Sequence, residues 1–280
     1  MRALVRNRSK ASALETHPGV DFLEGDMLRP ETLGAALEGV ERVLMISSSE
    51  ERMVETQCSF IDTCKQAGVR HIVKFSGKES GIGFDSSKFR FTRMHEEIER
   101  YLKTSGLLWT HLRPSQFMQV YFREVPTMVS DSAFFLPMGN AKLSPVDIED
   151  IAKIAVAVLH GEGHESKSYE MTGPEALTMT EIAELISTAI GRTIRYVNVA
   201  PEDKRRALIG AGAPERADAL DELFADVANA RNQESTSRHM RHSEFRLQPL
   251  PNLPAGTPSA FLSFLCQPHS RHLPPNGFSR

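Results

Sequence analysis

Short apolar runs alternate with helical patterns along the first half of the chain, and this alternation limits the possible folds more than any single motif does. Ala3-Leu4-Val5, Val20-Asp21-Phe22-Leu23 and Arg42-Val43-Leu44-Met45-Ile46 read as strands. His71-Ile72-Val73-Lys74-Phe75 and Leu108-Trp109-Thr110-His111-Leu112 follow, with helical repeats between the later ones. Strands separated by a helix cannot be joined by a tight hairpin turn, so they run parallel. The expected class is α/β, with a parallel sheet covered by helices.

The punctuation between the runs agrees. Pro30 opens a helix expected to reach Leu37, with Gly39 just beyond, because proline's missing N–H is no loss at a first helical position. Residues 53–67 place Val54, Cys58 and Ile61 on one stripe and stop at Gly68; residues 93–105 turn Ile98, Tyr101 and Leu102 inward and stop at Gly106. Ile148, Ile151, Ala152, Ala155 and Leu159 mark another helix, which Asp147 and Asp150 are expected to cap and orient. Thr178-Met179-Thr180-Glu181 forms a capping box before Ile182, Leu185, Ile186 and Ala189, and Gly191 ends that helix.

Composition excludes several functions. A net charge of −3 without a long basic run is no footprint for direct nucleic-acid binding. No apolar run approaches the roughly 20 residues of a membrane span, and no charged-then-apolar leader precedes the first strand, so a cytoplasmic location is expected. Three cysteines make no disulfide framework, and Cys58 and Cys64 read as small core residues on different helix faces. The histidines are scattered without paired ligand spacing, so no metal site is expected. The last 46 residues hold seven prolines, five arginines and a single acidic residue, with no surviving period; residues 233–280 are expected to be a disordered tail.

Five strings then fall in order: GVDFLEGDM at 19–27, AGVRHIVKFS at 67–76, HEEIERYLKTSGLLWTHLRPSQFMQ at 95–119, SPVDIEDIA at 144–152 and YEMTGPEALTMTEIAELIS at 169–187. Together they resemble the NmrA-like branch of the atypical short-chain dehydrogenase/reductases, over about residues 1–230. The resemblance implies a doubly wound, Rossmann-type parallel sheet: a dinucleotide-binding domain over 1–150, a small α/β substrate lobe over 151–232 and the tail over 233–280. In that family an opening strand and a T-G-A-T-G-x-x-G type loop bring backbone N–H groups to the pyrophosphate. Here that first βα unit is absent. Gly81-Ile82-Gly83 lacks the third glycine at the right spacing, and Gly210-Ala211-Gly212 runs into Pro214-Glu215 within a helical pattern. Losing a central strand would leave its neighbours' backbone groups unpaired, each at ~1–3 kcal/mol, against a total stability of ~5–15 kcal/mol. The expectation is a translation start upstream of Met1, with an inactive truncated product as the alternative.

The resemblance also assigns candidate residues. Arg6 and Lys10 follow the first strand where an acidic residue would hold both ribose hydroxyls of NAD; a cation there suits the 2′-phosphate of NADP, so NADP(H) is expected over NAD(H). Read from the residues alone, the same charges are also a solvated helix start. Asp26 and Met27 correspond to the pair that brackets adenine, although Gly25-Asp26 alone is a turn. Ser47 and Ser76 end strands at the carboxyl edge of the sheet, where ligands bind in open α/β folds. The superfamily's Y-x-x-x-K pair falls on Phe91 and His95. Phenylalanine transfers no proton, so His95 is left as the candidate acid or ribose-binding group, or else as an exposed residue in a helix's first turn. Pro114 lies where the nicotinamide would sit, and Phe117 and Met118, with Tyr121 and Phe122, line a substrate pocket or simply belong to the core. The activity implied is NADPH-dependent reduction of a small organic substrate. The alternative is a non-catalytic NADP(H) redox sensor acting on a regulatory protein partner.

Overall fold

The computed structural model describes residues 1–14, 17–77, 81–82, 89–214, 217–218 and 220–224. The tail expected at 233–280 lies outside the described residues.

Two parallel sheets hold the strands expected in the first half of the chain. Strand β1 (Arg2–Val5) pairs with β2 (Asp21–Glu24), Arg2 lying opposite Asp21. The second sheet is built from β3 (Arg42–Met45), β4 (His71–Phe75), β6 (Leu108–Pro114) and β9 (Lys167–Met171), in that spatial order and all parallel. No ladder joins β1 to β3, so each is an end strand of its own sheet. Leu4 of β1 nevertheless packs against the core under the second sheet.

A parallel sheet is covered on both faces, and side chains alternate along each strand. On one face Ile72 joins Met45 and the helices α2 (Met53–Gln66) and α3 (Arg90–Thr104), whose Ile61, Cys64, Ile98 and Leu102 are fully buried. On the other, Val73 and Leu112 meet α5 (Ile148–His160) through Ile151, Ala155 and Val158. Each such side chain contributes about 1.5–3 kcal/mol when fully buried. Arg42 ties α5 to the sheet by donating to the carbonyls of Leu159 and Gly161, both at 2.7 Å, at the helix's negative end.

A third core lies apart. It gathers Phe134 of β7 (Ala133–Leu136), Tyr196 of β11 (Arg195–Asn198), Met128 of α4 (Val125–Ser130) and Ile182 and Ile186 of α6 (Met179–Ile190). Short strands β5 (Gly81–Ile82), β8 (Lys142–Leu143) and β10 (Leu177–Thr178) form an antiparallel patch. Helix α7 (Pro201–Gly210) follows. Although most of α5 and all of β9 come after residue 150, both pack with the four-stranded sheet.

Several expectations change. Pro30 to Leu37 is not one helix: a 3-10 turn at Pro30–Thr32 precedes the one-turn α1 (Gly34–Leu37). Thr32 Oγ1 donates to the Arg29 carbonyl and accepts from the Asp26 N–H, a local bonding pattern that competes with a helix start. Tyr101 does not turn inward; it is 39% exposed and its hydroxyl donates to Asp62 on α2 at 2.8 Å. Leu185 is 52% exposed, because Met179, Ile182, Ala183 and Ile186 already fill the inner stripe. Gly81-Ile82 forms the strand β5, paired with β8. Helix α3 starts three residues before the expected 93, since Glu222 accepts from both the N–H and the guanidinium of Arg90 at 2.7 Å. The capping box at Thr178 forms, and Gly191 ends α6 in the left-handed region at φ 66.

Candidate functional site

Lys74 is the fourth residue of β4, on the face shared with Ile72, and its side chain is fully buried between α2 and α3. Its Nζ donates to Gln57 Oε1 at 2.8 Å and lies 3.0 Å from His95 Nδ1, with the Phe75 carbonyl at 3.4 Å. Gln57 in turn donates from Nε2 to Ser47 Oγ at 2.8 Å, so α2 links the carboxyl ends of β3 and β4. Burial pushes the Lys74 ammonium down to about 7, against the pull of Glu99 and Cys58. His95 is driven further: burial, then the adjacent Lys74, lower it to about 3, with Glu99 opposing. The ring is therefore neutral across the physiological range.

His95 is not an exposed first-turn residue. The early start of α3 puts it in the second turn, 9% exposed, with its ring edge against Gly77 just past β4. A Cβ built on Gly77 would stand 3.0 Å from His95 Cδ2 and 3.2 Å from Nε2. Nothing among the described residues hydrogen-bonds that Nε2.

One turn on, Glu99 anchors a second buried group. It accepts from Ser76 Oγ at 2.6 Å and from Arg113 Nε at 2.9 Å, with a further short contact to Arg113 Nη2, and His111 Nδ1 lies 3.5 Å away. Burial works hardest against its charge, yet Arg113, His111 and Ser76 together hold it at about 2. His111, stacked on Trp109, is lowered to about 4 by burial. Ser76 thus faces the interior rather than a cleft, and Pro114 is the buried last residue of β6.

The rim is different. A cleft of about 910 Å³ is lined by Arg6, Asp26, Ser49, Arg52, Phe89, Phe91 and Arg123, among others. Arg6 is exposed and follows β1 directly. Asp26 uses Oδ1 to hold the turn by accepting from the Leu28 N–H at 2.9 Å while its residue also faces the cleft. Arg52 is held by Glu55 at 2.7 and 2.8 Å. The cleft brings Arg6, Asp26 and Phe91 together, but Lys10 stands exposed outside it and Met27 packs on the core under the sheet. Phe117 packs against Phe75 with centroids 6.0 Å apart and Met118 against the third core, each of them partly buried. Asp147 caps α5, accepting from Glu149 N–H at 2.9 Å, while Asp150 pairs with Lys153. Burial raises Cys58 to about 11 and Cys64 to about 12, leaving both as inert thiols.

A cation and a carboxylate line one cleft, and a neutral imidazole stands at the carboxyl edge of the sheet. No glycine-rich turn for its pyrophosphate occurs among the described residues. Among them, too, no group of three or more His, Cys, Asp or Glu is placed to hold a metal ion, and no helix is long and apolar enough to cross a membrane.

The chain belongs to the NmrA-like family, whose model matches residues 1–247. It is 37% identical over 226 residues to an NAD(P)H azoreductase from Xenophilus azovorans, covering 80% of this chain and 77% of that protein. Among solved structures, the NADPH-dependent quinone oxidoreductase of Escherichia coli in complex with NADPH is 30% identical, with a TM-score of 0.71 over 82% of this chain and 80% of that one. The triphenylmethane reductase of Citrobacter sp. complexed with NADP(H) shares the fold, with a TM-score of 0.69, 24% identity and coverage of 85% and 82%. The doubly wound reading of the sequence therefore stands.

Lys74, Gln57 and Glu99 had not been singled out in the sequence, although a signal was there. Residues 95, 98, 99 and 102 share one helical face, so His95 and Glu99 lie on the same inward stripe as Ile98 and Leu102. A lysine alternating with Ile72 in an interior parallel strand has no solvent to reach.

Proposed function

We propose that the protein is an NADP(H)-dependent reductase of small, flat organic acceptors of the quinone or azo class. The observation that carries this reading is His95, a neutral imidazole held by Lys74 at the carboxyl edge of β4. Support comes from the Arg6 and Asp26 cleft and from the azo- and quinone-reducing relatives. Arg6 meets the 2′-phosphate and Asp26 the adenine, while His95 stands at the nicotinamide end and offers Nε2–H to the acceptor. The bound dinucleotide supplies hydride.

Titration of the full chain with NADPH and NADH, followed by nicotinamide fluorescence, tests the binding half. NADPH is expected to bind at least ~10-fold tighter, the worth of one charge-assisted contact. Absorbance at the reduced-nicotinamide band with a benzoquinone or an azo dye tests the chemistry. Equal binding of both dinucleotides overturns the preference, and the absence of acceptor-dependent oxidation overturns the reductase.

A further inference from the structure

We propose that Lys74 is the positioning residue of His95: it fixes the ring as the Nε2–H tautomer and restores the proton that Nε2 gives to the acceptor. The inference rests on the reductase reading above and says how a histidine in this setting delivers a proton.

The difficulty is plain from the burial. His95 is not protonated near neutral pH, so it has no imidazolium proton to give. The geometry supplies the missing proton from the other side of the ring. Lys74 Nζ lies within hydrogen-bond reach of Gln57 Oε1, His95 Nδ1 and the Phe75 carbonyl, and of no carboxylate among the described residues. An ammonium has three donors and no acceptor, so this arrangement satisfies the charged lysine and requires a lone pair on Nδ1. The ring proton must then sit on Nε2, the edge beside Gly77 at the end of the sheet.

Proton movement follows from that arrangement. As a quinone-type acceptor gains hydride, with the reduced nicotinamide as the electron source, its anionic oxygen forms an O–H bond while the Nε2–H bond breaks. Nδ1 takes a proton from the Lys74 ammonium in the same movement, so no free imidazolate forms. Lys74 is left as a neutral amine; after product leaves, Nε2 takes a proton from solvent and Nδ1 returns its own to Lys74, which restores the starting tautomer. The groups that face Lys74 are Gln57 and Cys58 on α2, His95 and Glu99 on α3 and, more remotely, His111 on β6. Of these only Glu99 is charged at neutral pH, and it is already committed to Arg113 and Ser76.

The test needs the full chain with ¹⁵N-labelled histidine and two-bond nitrogen–proton correlation, in the absence of dinucleotide. His95 is expected as the Nε2–H tautomer, and Lys74→Met is expected to mix the tautomers by removing the donor to Nδ1. A wild-type Nδ1–H tautomer overturns the proposal, as does a spectrum that K74M leaves unchanged. If K74M does not fold, the wild-type tautomer alone decides. In NADPH-coupled quinone reduction, K74M lowers kcat by ~10²- to 10⁴-fold with KM for NADPH unchanged. It also removes the fall in kcat that the wild type shows above about pH 7, where Lys74 loses its proton. Normal wild-type turnover with unaltered K74M kinetics overturns the relay alone. A correct tautomer without any NADPH oxidation overturns the relay and the reductase reading together.

Discussion

Lys74 and Arg6 both lie at the carboxyl end of a parallel strand, yet Lys74 is buried among three acceptors while Arg6 stands exposed beside a wide cleft. The difference comes from what covers the strand. Helices α2 and α3 close over β4, so a charge there must find every partner inside the protein. Past β1 the chain turns into the cleft, where water screens Arg6 and its cost of charging is small. Proton transfer suits the first setting, where burial brings the Lys74 ammonium down to about 7; anion recognition suits the second, where an exposed guanidinium is open to an anionic ligand.

Breaking the buried side gives the largest effect. Arg113→Met leaves the Glu99 carboxylate, whose side chain is only 4% exposed, without its main partner. A loss of ~3–5 kcal/mol is expected in urea unfolding at pH 7. The sign with pH follows from Glu99's lowered value. Its contribution is present above its ordinary 4.5 and is lost as pH falls toward about 2, so the gap between wild type and R113M should narrow over that window. A gap that stays constant from pH 7 to pH 3 would mean that Arg113 does not hold the Glu99 carboxyl below its ordinary range.

Lys74 has the same sign with pH in a higher window, but here it is the charged form that costs stability. Its value falls from an ordinary 10.5 to about 7, so between those limits the unfolded chain binds more protons and the fold gains stability as pH rises. K74M, which carries no charge, should therefore compare best with wild type at pH 6 and progressively worse toward pH 10. Parallel stability curves for the two proteins would show that Lys74 titrates normally and is not desolvated.

On the exposed side, Arg6→Glu should leave urea stability within about 0.5 kcal/mol, as for a surface change. It should weaken NADPH binding by roughly 10- to 100-fold, the ~1.5–3 kcal/mol of a hydrogen bond to a charged group, and change NADH binding far less. A parallel loss for both dinucleotides would make Arg6 a general electrostatic group rather than a 2′-phosphate reader.

The sheet was legible because period and punctuation act locally. The runs at 3–5, 42–46 and 71–75 reappear as β1, β3 and β4 within a residue or two. The site was legible only in part. Arg6, Asp26, Ser47 and His95 were placed by resemblance, but their partners are contributed by residues far along the chain. Gln57 reaches Ser47 and Lys74 from another element, and Glu222 sets the start of α3 across 132 positions of sequence. Side-chain partnering of that kind has no period to detect. Phe117 and Met118 carry a different lesson, since an aromatic and a methionine after a strand suit a pocket wall and a core equally, and here both lie partly buried against Phe75 and the third core.

Gly77→Ala probes the seam between buried pair and sheet edge with the smallest change. The glycine's φ lies outside the left-handed region, so alanine meets no backbone strain, and a less flexible unfolded chain offers ~0.4–1 kcal/mol in its favour. Against this, the new methyl falls 3.0 Å from His95 Cδ2 and 3.2 Å from Nε2, too close for the ring to remain where it is. Lys74 holds the ring by Nδ1, so it should pivot about that bond and carry Nε2 away from the edge. Stability should change by less than about 1 kcal/mol while kcat falls and NADPH affinity holds, because the cleft around Arg6 is untouched. Unchanged kcat in a folded G77A protein would mean that the Nε2 edge of His95 is not where the acceptor binds.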